Sequence, residues 1–303
     1  MFFFYLWFKP KKNNRMNKDE FLEALQNEVT GYNTVLATEN GDWIVKGFID
    51  ITKKIYTISL DTKVVSKVIE LLLIPEFEKF ANKHNLLLEL APQQNFFPDL
   101  TFTSKDSGER FSVDIKSTFK DQANKIKSMT LGAFTGYFRK RQSAKNTLYP
   151  YESYSGHFVF GVIYTQIETL DEKKVYTLDE LEEIESVIKD FQFFVQPKYK
   201  IASASPGSGN TKNIGAVTNL EKLINGQGIF AELGEDVYND YWMYYLTVDM
   251  AKAADVPRPY TNLKSYFEYK KRGIDVLAEH KEQIDQLNEE EAIEQEINEN
   301  GDE

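Results

Sequence analysis

The chain has 303 residues, 42% of them hydrophobic and 14% aromatic, enough to fill one substantial core and too many for wholesale disorder. It contains no cysteine, which excludes disulfide scaffolds, thiolate nucleophiles and cysteine-held metals; its three histidines (His84, His157, His280) are too scattered for a histidine metal cluster. The formal charge of -11 argues, taken whole, against a nucleic-acid partner. Its distribution reverses that reading. Residues 279–303 hold eleven acidic side chains against Lys281 alone, so the remaining chain is close to neutral. Within it, residues 115–145 carry eight Lys or Arg against Asp121, a segment that either meets phosphates or forms a solvated face.

Met1 to Phe8 is apolar, but the basic residues Lys9, Lys11, Lys12 and Arg15 follow it, the reverse of a secretory signal. Residues 1–18 therefore read as an N-terminal extension. With no apolar run long enough for a membrane helix, the chain reads as soluble and cytoplasmic. Asn17–Gln26 has helical spacing with Phe21, Leu22 and Leu25 inward. A turn signal at Asn40-Gly41 precedes the β-rich stretch Trp43–Ile58. Asp61 caps a helix running to about Lys83, with Val64, Val65, Val68, Leu72 and Phe80 on its apolar face. Leu86–Leu90, Leu100–Thr103 and Phe111–Ile115 read as strands, Thr130–Gln142 as a helix, and Phe158–Tyr164 and Phe191–Val195 as buried strands. A Gly/Ser loop follows at Ala204–Gly209. The last helix fades after Gly273 into an acidic tail, 279–303, either disordered or marginally helical. Nothing cuts the body 19–278 in two. The expected fold is α/β, a mixed central β-sheet flanked by helices.

One constellation carries chemistry. Pro98-Asp99 opens a strand, and after fourteen intervening residues Asp114-Ile115-Lys116 lies near the end of the next. A period of two puts Asp114 and Lys116 on one face and Ile115 toward the core. If the strands are neighbours, Asp99 reaches Asp114, and two carboxylates that close need a cation between them. With only oxygen ligands the ion is hard: Mg²⁺, with Mn²⁺ as substitute. Lys116 would then stabilise charge on a reacting phosphorus or help deprotonate a water. The alternative is ordinary charge at strand ends. Glu70, among apolar neighbours on the preceding helix, is either a further ligand or a solvent-facing charge.

Ser205 to Gly215 is glycine-rich without forming a Walker or dinucleotide loop. Asn210, Asn213 and close-approaching backbone amides suit readout of base edges in a major groove, although a plain surface turn has the same composition. Gln93, Gln94 and Asn95 place three more amides just before Pro98-Asp99, to hold a groove edge or simply to line a polar loop.

Taken in order, these blocks carry a resemblance. Asp61-Thr62-Lys63-Val64, Glu70-Leu71, Gln93-Gln94-Asn95, Pro98-Asp99, Asp114-Ile115-Lys116, Thr130-Leu131-Gly132, Gly207-Ser208-Gly209-Asn210-Thr211, Asn213-Ile214-Gly215, Gly228-Ile229-Phe230 and Asp240-Tyr241-Trp242 follow one another at near-constant spacing. From about Asp19 to Trp242 the chain resembles the type II restriction endonucleases of the PD-(D/E)xK nuclease superfamily. The resemblance implies a homodimer with the restriction-endonuclease-like fold, a single nuclease domain at 19–278 with dimerisation and DNA-binding/catalytic subdomains. It implies Mg²⁺-dependent cleavage of double-stranded DNA at a palindrome, GATATC cut to blunt ends, and a partner DNA methyltransferase that protects the host. By position, Asp99 and Asp114 match the metal-binding carboxylates, Glu70 an auxiliary acid and Lys116 the catalytic lysine. Gly207, Ser208, Gly209, Asn210, Thr211 and Asn213 match the base-reading loop. Gln93, Gln94 and Asn95 match a minor-groove loop, and Thr118 a backbone-contact stretch.

The chain departs from that pattern at Lys212, where the family has a threonine, at Phe96 and Phe97, which replace a His-Tyr pair, and at Ser117, which replaces a threonine. Its C-terminal segment is acidic where the relative's is basic. Two other readings stand beside the first: a nuclease of the same fold with another target, a different hexamer or branched DNA, and a catalytically inactive DNA-binding protein.

Overall fold

The computed structural model describes residues 16–93, 95–120, 126–127, 129–167, 174–207 and 211–272. The apolar leader and the acidic tail lie outside these. α1 (Lys18–Val29) starts on a capping box in which Asn17 accepts from the Asp19 and Glu20 N–H groups and Glu20 accepts from the Asn17 N–H. After α2 (Asn33–Leu36) comes the 22-residue α3 (Thr62–Lys83), capped by the Asp61 carboxylate on the Lys63 N–H at 2.7 Å. The stripe that α3 buries is Val65, Ile69, Leu73, Phe77 and Phe80; Val65 and Phe80 lie in it as expected, while Val64, Val68 and Leu72 form its half-buried shoulder.

The central sheet is mixed, as expected. It has five strands in the order β3 (Leu86–Leu90), β4 (Leu100–Ser104), β5 (Arg110–Lys120), β7 (Tyr154–Gln166) and β9 (Ile188–Pro197). β5 and β7 are parallel, while every other neighbouring pair is antiparallel. A small sheet joins β1 (Gly47–Ile49), β2 (Ile55–Thr57) and β8 (Val175–Tyr176). A second one orders β10 (Ala202–Pro206), β11 (Asn213–Ala216) and β6 (Thr130–Ala133).

The pleat divides the core. Phe158, Phe160, Val162 and Tyr164 of β7, with Phe111 and Val113 of β5, pack toward α1 and α3. There Phe21 of α1 stacks on Phe111 at 4.4 Å between ring centres and meets Phe158 at 5.3 Å and Phe102 at 5.4 Å. Val159 and Ile163 face the opposite way, toward a layer made by the β10–β11–β6 sheet and five helices: α4 (Lys198–Ile201), α5 (Leu220–Asn225), α6 (Ile229–Leu233), α7 (Glu235–Tyr244) and α8 (Val248–Ala253). α9 (Leu263–Arg272) is the last described helix. Among the described residues no helix is long and apolar enough to cross a membrane.

One expected element is corrected. Thr130–Gln142 is not a helix: β6 covers Thr130–Ala133 and a single 3₁₀ turn covers Gly136–Phe138. Gly132 at φ +92° and Gly136 at φ +50° take backbone angles outside the helical region, and β6 satisfies its hydrogen bonds against β11 instead. The helical spacing of apolar residues there was coincidental. Alternation on β6 buries Leu131, and the turn buries Phe138.

Candidate active site

The antiparallel pairing of β4 with β5, Leu100 opposite Val113, brings the residue before β4 beside Asp114 in the middle of β5, which runs on to Lys120 rather than ending near Ile115 as expected. Asp99 is fixed there by its Oδ2 accepting the Ile115 N–H at 2.7 Å. Lys116 Nζ lies 3.5 Å from the same oxygen. As the period of two requires, Asp114 and Lys116 share a face, in register with Val159 and Gly161 of β7, while Ile115 packs half-buried on the α1–α3 side.

Asp114 is buried, and its Oδ2 accepts from Lys198 Nζ at 2.9 Å. Lys198 opens α4, directly after β9, and reaches across β7 to do this. Its ammonium is buried too, 4.5 Å from the centre of the Phe97 ring. Two carboxylates thus face two ammonium groups, Asp99 with Lys116 and Asp114 with Lys198. Burial pushes the Asp99 carboxyl above the usual carboxylate range; Lys116 opposes that and Asp114 adds to it. Burial acts on Asp114 in the same sense, but Lys198 and Lys116 outweigh it and hold the group below its usual range. For Lys116 burial disfavours the charge, yet Asp99 and Asp114 beside it raise the group above its usual value, so it stays an ammonium.

Glu70 is half-buried on α3 and pairs with Lys67 at 2.7 Å. Its charge is felt at both Asp99 and Lys116. Among the described residues no three His, Cys, Asp or Glu side chains converge closely enough to cage an ion. A carboxylate pair with oxygen-only donors still fits a hard divalent cation, because Mg²⁺ commonly takes one or two carboxylates and completes its shell with waters and substrate phosphate.

Beside the carboxylates a cleft of 380 Å³ is lined by Thr62, Ser66, Lys116, Ser117, Thr118 and Lys127, among others. Ser66 and Ser117 share a hydrogen bond at 2.6 Å that ties α3 to β5. Thr118 donates to the Lys127 carbonyl at 2.7 Å. The glycine loop springs from the β10–β11 hairpin, where the Gly207 N–H meets the Asn213 carbonyl at 2.9 Å. Asn213 pairs with Ala133 of β6, and Thr211 lies half-buried before it. Gln93 and Asn95 are exposed, and the Gln93 carbonyl accepts the Phe96 N–H. Gln94, Ser208, Gly209 and Asn210 lie outside the described residues.

Sequence reasoning passed over Lys198 and His157. His157 Nδ1 meets the Ser112 hydroxyl at 2.8 Å, and its ring stacks on Tyr151 with centres 3.9 Å apart. Burial, reinforced by Lys198, lowers its pKa well below the usual histidine value, so the folded protein keeps it neutral. An unfolded chain takes up that proton once the pH falls below about 6.5. Unfolding therefore binds protons, and stability is lost as the pH drops from there toward the depressed folded value, at up to about 1.4 kcal/mol per pH unit. Urea denaturation between pH 7.5 and 5 should show this slope, and His157→Gln should flatten it by one proton's worth; an unchanged slope in the variant would show that His157 titrates freely in the fold.

The family model described as restriction endonuclease EcoRV matches residues 39–271. The type II restriction enzyme EcoRV of Escherichia coli is 34% identical to this chain over 241 residues, 78% of this chain and 95% of that protein. With the mixed α/β fold and the carboxylate–lysine cluster on the central sheet, these matches place the chain in the EcoRV family of restriction endonucleases, as a type II site-specific deoxyribonuclease acting on DNA with divalent metal.

Proposed function

We propose that the enzyme requires Mg²⁺ (Mn²⁺ substituting), acts as a homodimer on double-stranded DNA, and cuts GATATC at its centre to leave blunt ends. The observation that supports this most is the meeting of Asp99, Asp114 and Lys116 where β4 begins beside the middle of β5. In this reading Asp99 and Asp114 hold the ion, with Glu70 as the auxiliary acid. The bound cation supplies Lewis-acid polarisation of the scissile phosphate and lowers the pKa of a water. Lys116, kept protonated by its two carboxylate neighbours, stabilises the charge that builds on phosphorus as water attacks in line and the 3′ oxygen leaves. That protonation state favours the charge-stabilising role over the general-base role. Thr118 and the cleft beside it take the backbone. Gly207 to Thr211 and Asn213 read the major groove, and Gln93, Gln94 and Asn95 follow the minor groove.

A palindrome is read by two-fold symmetry, and the small β1–β2–β8 sheet offers the apolar surface that pairing needs: Phe48, Ile49, Ile51 and Val175 are all exposed. We assign 19–278 to one nuclease domain, with that sheet in the dimerisation part and the central sheet in the catalytic part. The protein works in the cytoplasm beside a cognate methyltransferase.

The deciding experiment is incubation with plasmid DNA and Mg²⁺, followed by sequencing of the fragment ends. Blunt ends between the central T and A of GATATC are expected, with no cutting of DNA methylated in that site. Products at another sequence would favour the second reading, a related hexamer, for which Lys212 inside the recognition loop is the specific pointer. No products with any divalent ion would overturn the enzymatic assignment of these residues.

A further inference from the structure

Resting on the site reading above, we propose that Lys198 is a positioning residue that occupies the Asp114 carboxylate while no cation is bound and must release it when one enters, so that Lys198 sets the protein's affinity for the divalent ion. A lysine is almost never fully buried unless paired. Here the pair is nearly closed off from water: the Lys198 and Asp114 side chains are 4% and 7% exposed, with Nζ and Oδ2 2.9 Å apart. The ammonium's other neighbours include an aromatic ring and a glycine. The Phe97 ring lies on one side, and on another is Gly132, where a Cβ would come within 3.9 Å of Nζ. Lys198 thus fills the position from which a cation would bind Asp114, and it does so with one charge and a directed hydrogen bond.

The charges make the competition explicit. Lys116 and Lys198 already balance Asp99 and Asp114, and Lys67 already pairs with Glu70. A divalent ion added with both ammonium groups in place would leave two positive charges in a poorly hydrated site. The cheaper state withdraws Lys198 from Asp114. Lys116 is not placed to relieve the clash in the same way, because it lies 3.5 Å from Asp99, whose Oδ2 is also held by the Ile115 N–H. Withdrawing the Lys198 side chain need not move the chain, because the backbone around it is anchored by other groups. The Lys200 carbonyl accepts the Gly228 N–H at 2.7 Å, the Ile201 carbonyl accepts the Val217 N–H at 2.9 Å, and the Ile201 side chain is fully buried. Those same anchors should let variants of Lys198 fold.

The test is Mn²⁺ binding to the full-length protein without DNA at pH 8, followed by electron paramagnetic resonance. Lys198→Met, which keeps the length and removes the charge, should bind Mn²⁺ at least about tenfold more tightly, a gain of about 1.4 kcal/mol. Lys198→Arg, which keeps the charge, should stay within about threefold of the unmodified protein. Equal or weaker binding by a folded Lys198→Met, or the same gain in Lys198→Arg, overturns the proposal. Should Lys198→Met fail to fold, the unmodified protein still decides: the Lys198 ¹³Cε resonance should shift on saturation with Mg²⁺, and a resonance that stays still overturns the inference. Asp114→Asn, measured in parallel, separates the two levels. Mn²⁺ binding that depends on Asp114 but ignores Lys198 sinks this inference alone. Binding indifferent to Asp114 sinks the metal-site reading with it.

Discussion

Lys116→Ala should abolish cleavage, lowering the single-turnover rate about 10³-fold, the scale expected for removing a charged donor aimed at a transition state. Specific DNA binding in Ca²⁺ should survive. The structural cost is small, because Asp99 keeps the Ile115 N–H at 2.7 Å after the ammonium is gone. Asp114→Ala should abolish cleavage too, but for a second reason it is a poorer probe. It strands the Lys198 ammonium in a site without another carboxylate partner, and breaking a buried pair from one side costs about 3–5 kcal/mol. Asp114→Ala should therefore melt well below Lys116→Ala, and adding Lys198→Met should restore much of that loss without restoring cleavage. A Lys116→Ala protein that still cuts near the normal rate would remove Lys116 from the chemistry. Equal melting of the two single variants would contradict the buried pair.

The contrast also explains what could be read from the residue order. Asp99, Asp114 and Lys116 are legible because β4 and β5 are consecutive, so a short antiparallel connection and a period of two fix all three positions. Phe21 was legible for a similar local reason: helical spacing alone turns it inward, and the ring contacts follow from what the sheet presents. Lys198 was not legible. It reaches Asp114 only because β9 lies antiparallel against β7 and β7 parallel against β5, two pairings between distant segments that leave no mark on the local pattern. Nor was β6, whose partner β11 lies some eighty residues on in the chain and overrides the local spacing. Glu70 was placed on the right helix, yet its immediate partner, Lys67, is one turn away on the same helix rather than in the carboxylate cluster.

Gly161→Val should be the most damaging single change in the sheet, and it links the core to the site. Gly161 sits in β7 opposite Lys116 on one side and Phe194 on the other. It is glycine for space, since a Cβ built there would lie 1.9 Å from the Phe194 ring. Phe194 is itself buried among Val159, Ile163 and Ile201, so the ring has no ready place to go. Overpacking of this kind costs about 1–3 kcal/mol and sometimes more. Urea denaturation should show a loss at the top of that range. Cleavage should fall even at temperatures where the variant is folded, because β7 can relieve the clash by shifting against β5 at the register of Lys116. The compensating change is Phe194→Ala, which removes the ring that the new side chain strikes. If the steric account is right, the double variant should be more stable than Gly161→Val alone, giving a large favourable coupling between two positions that are each damaging when changed singly. Additive losses would mean that the strain at Gly161 is relieved elsewhere, and that the close approach of Phe194 is not what keeps this position free of a side chain.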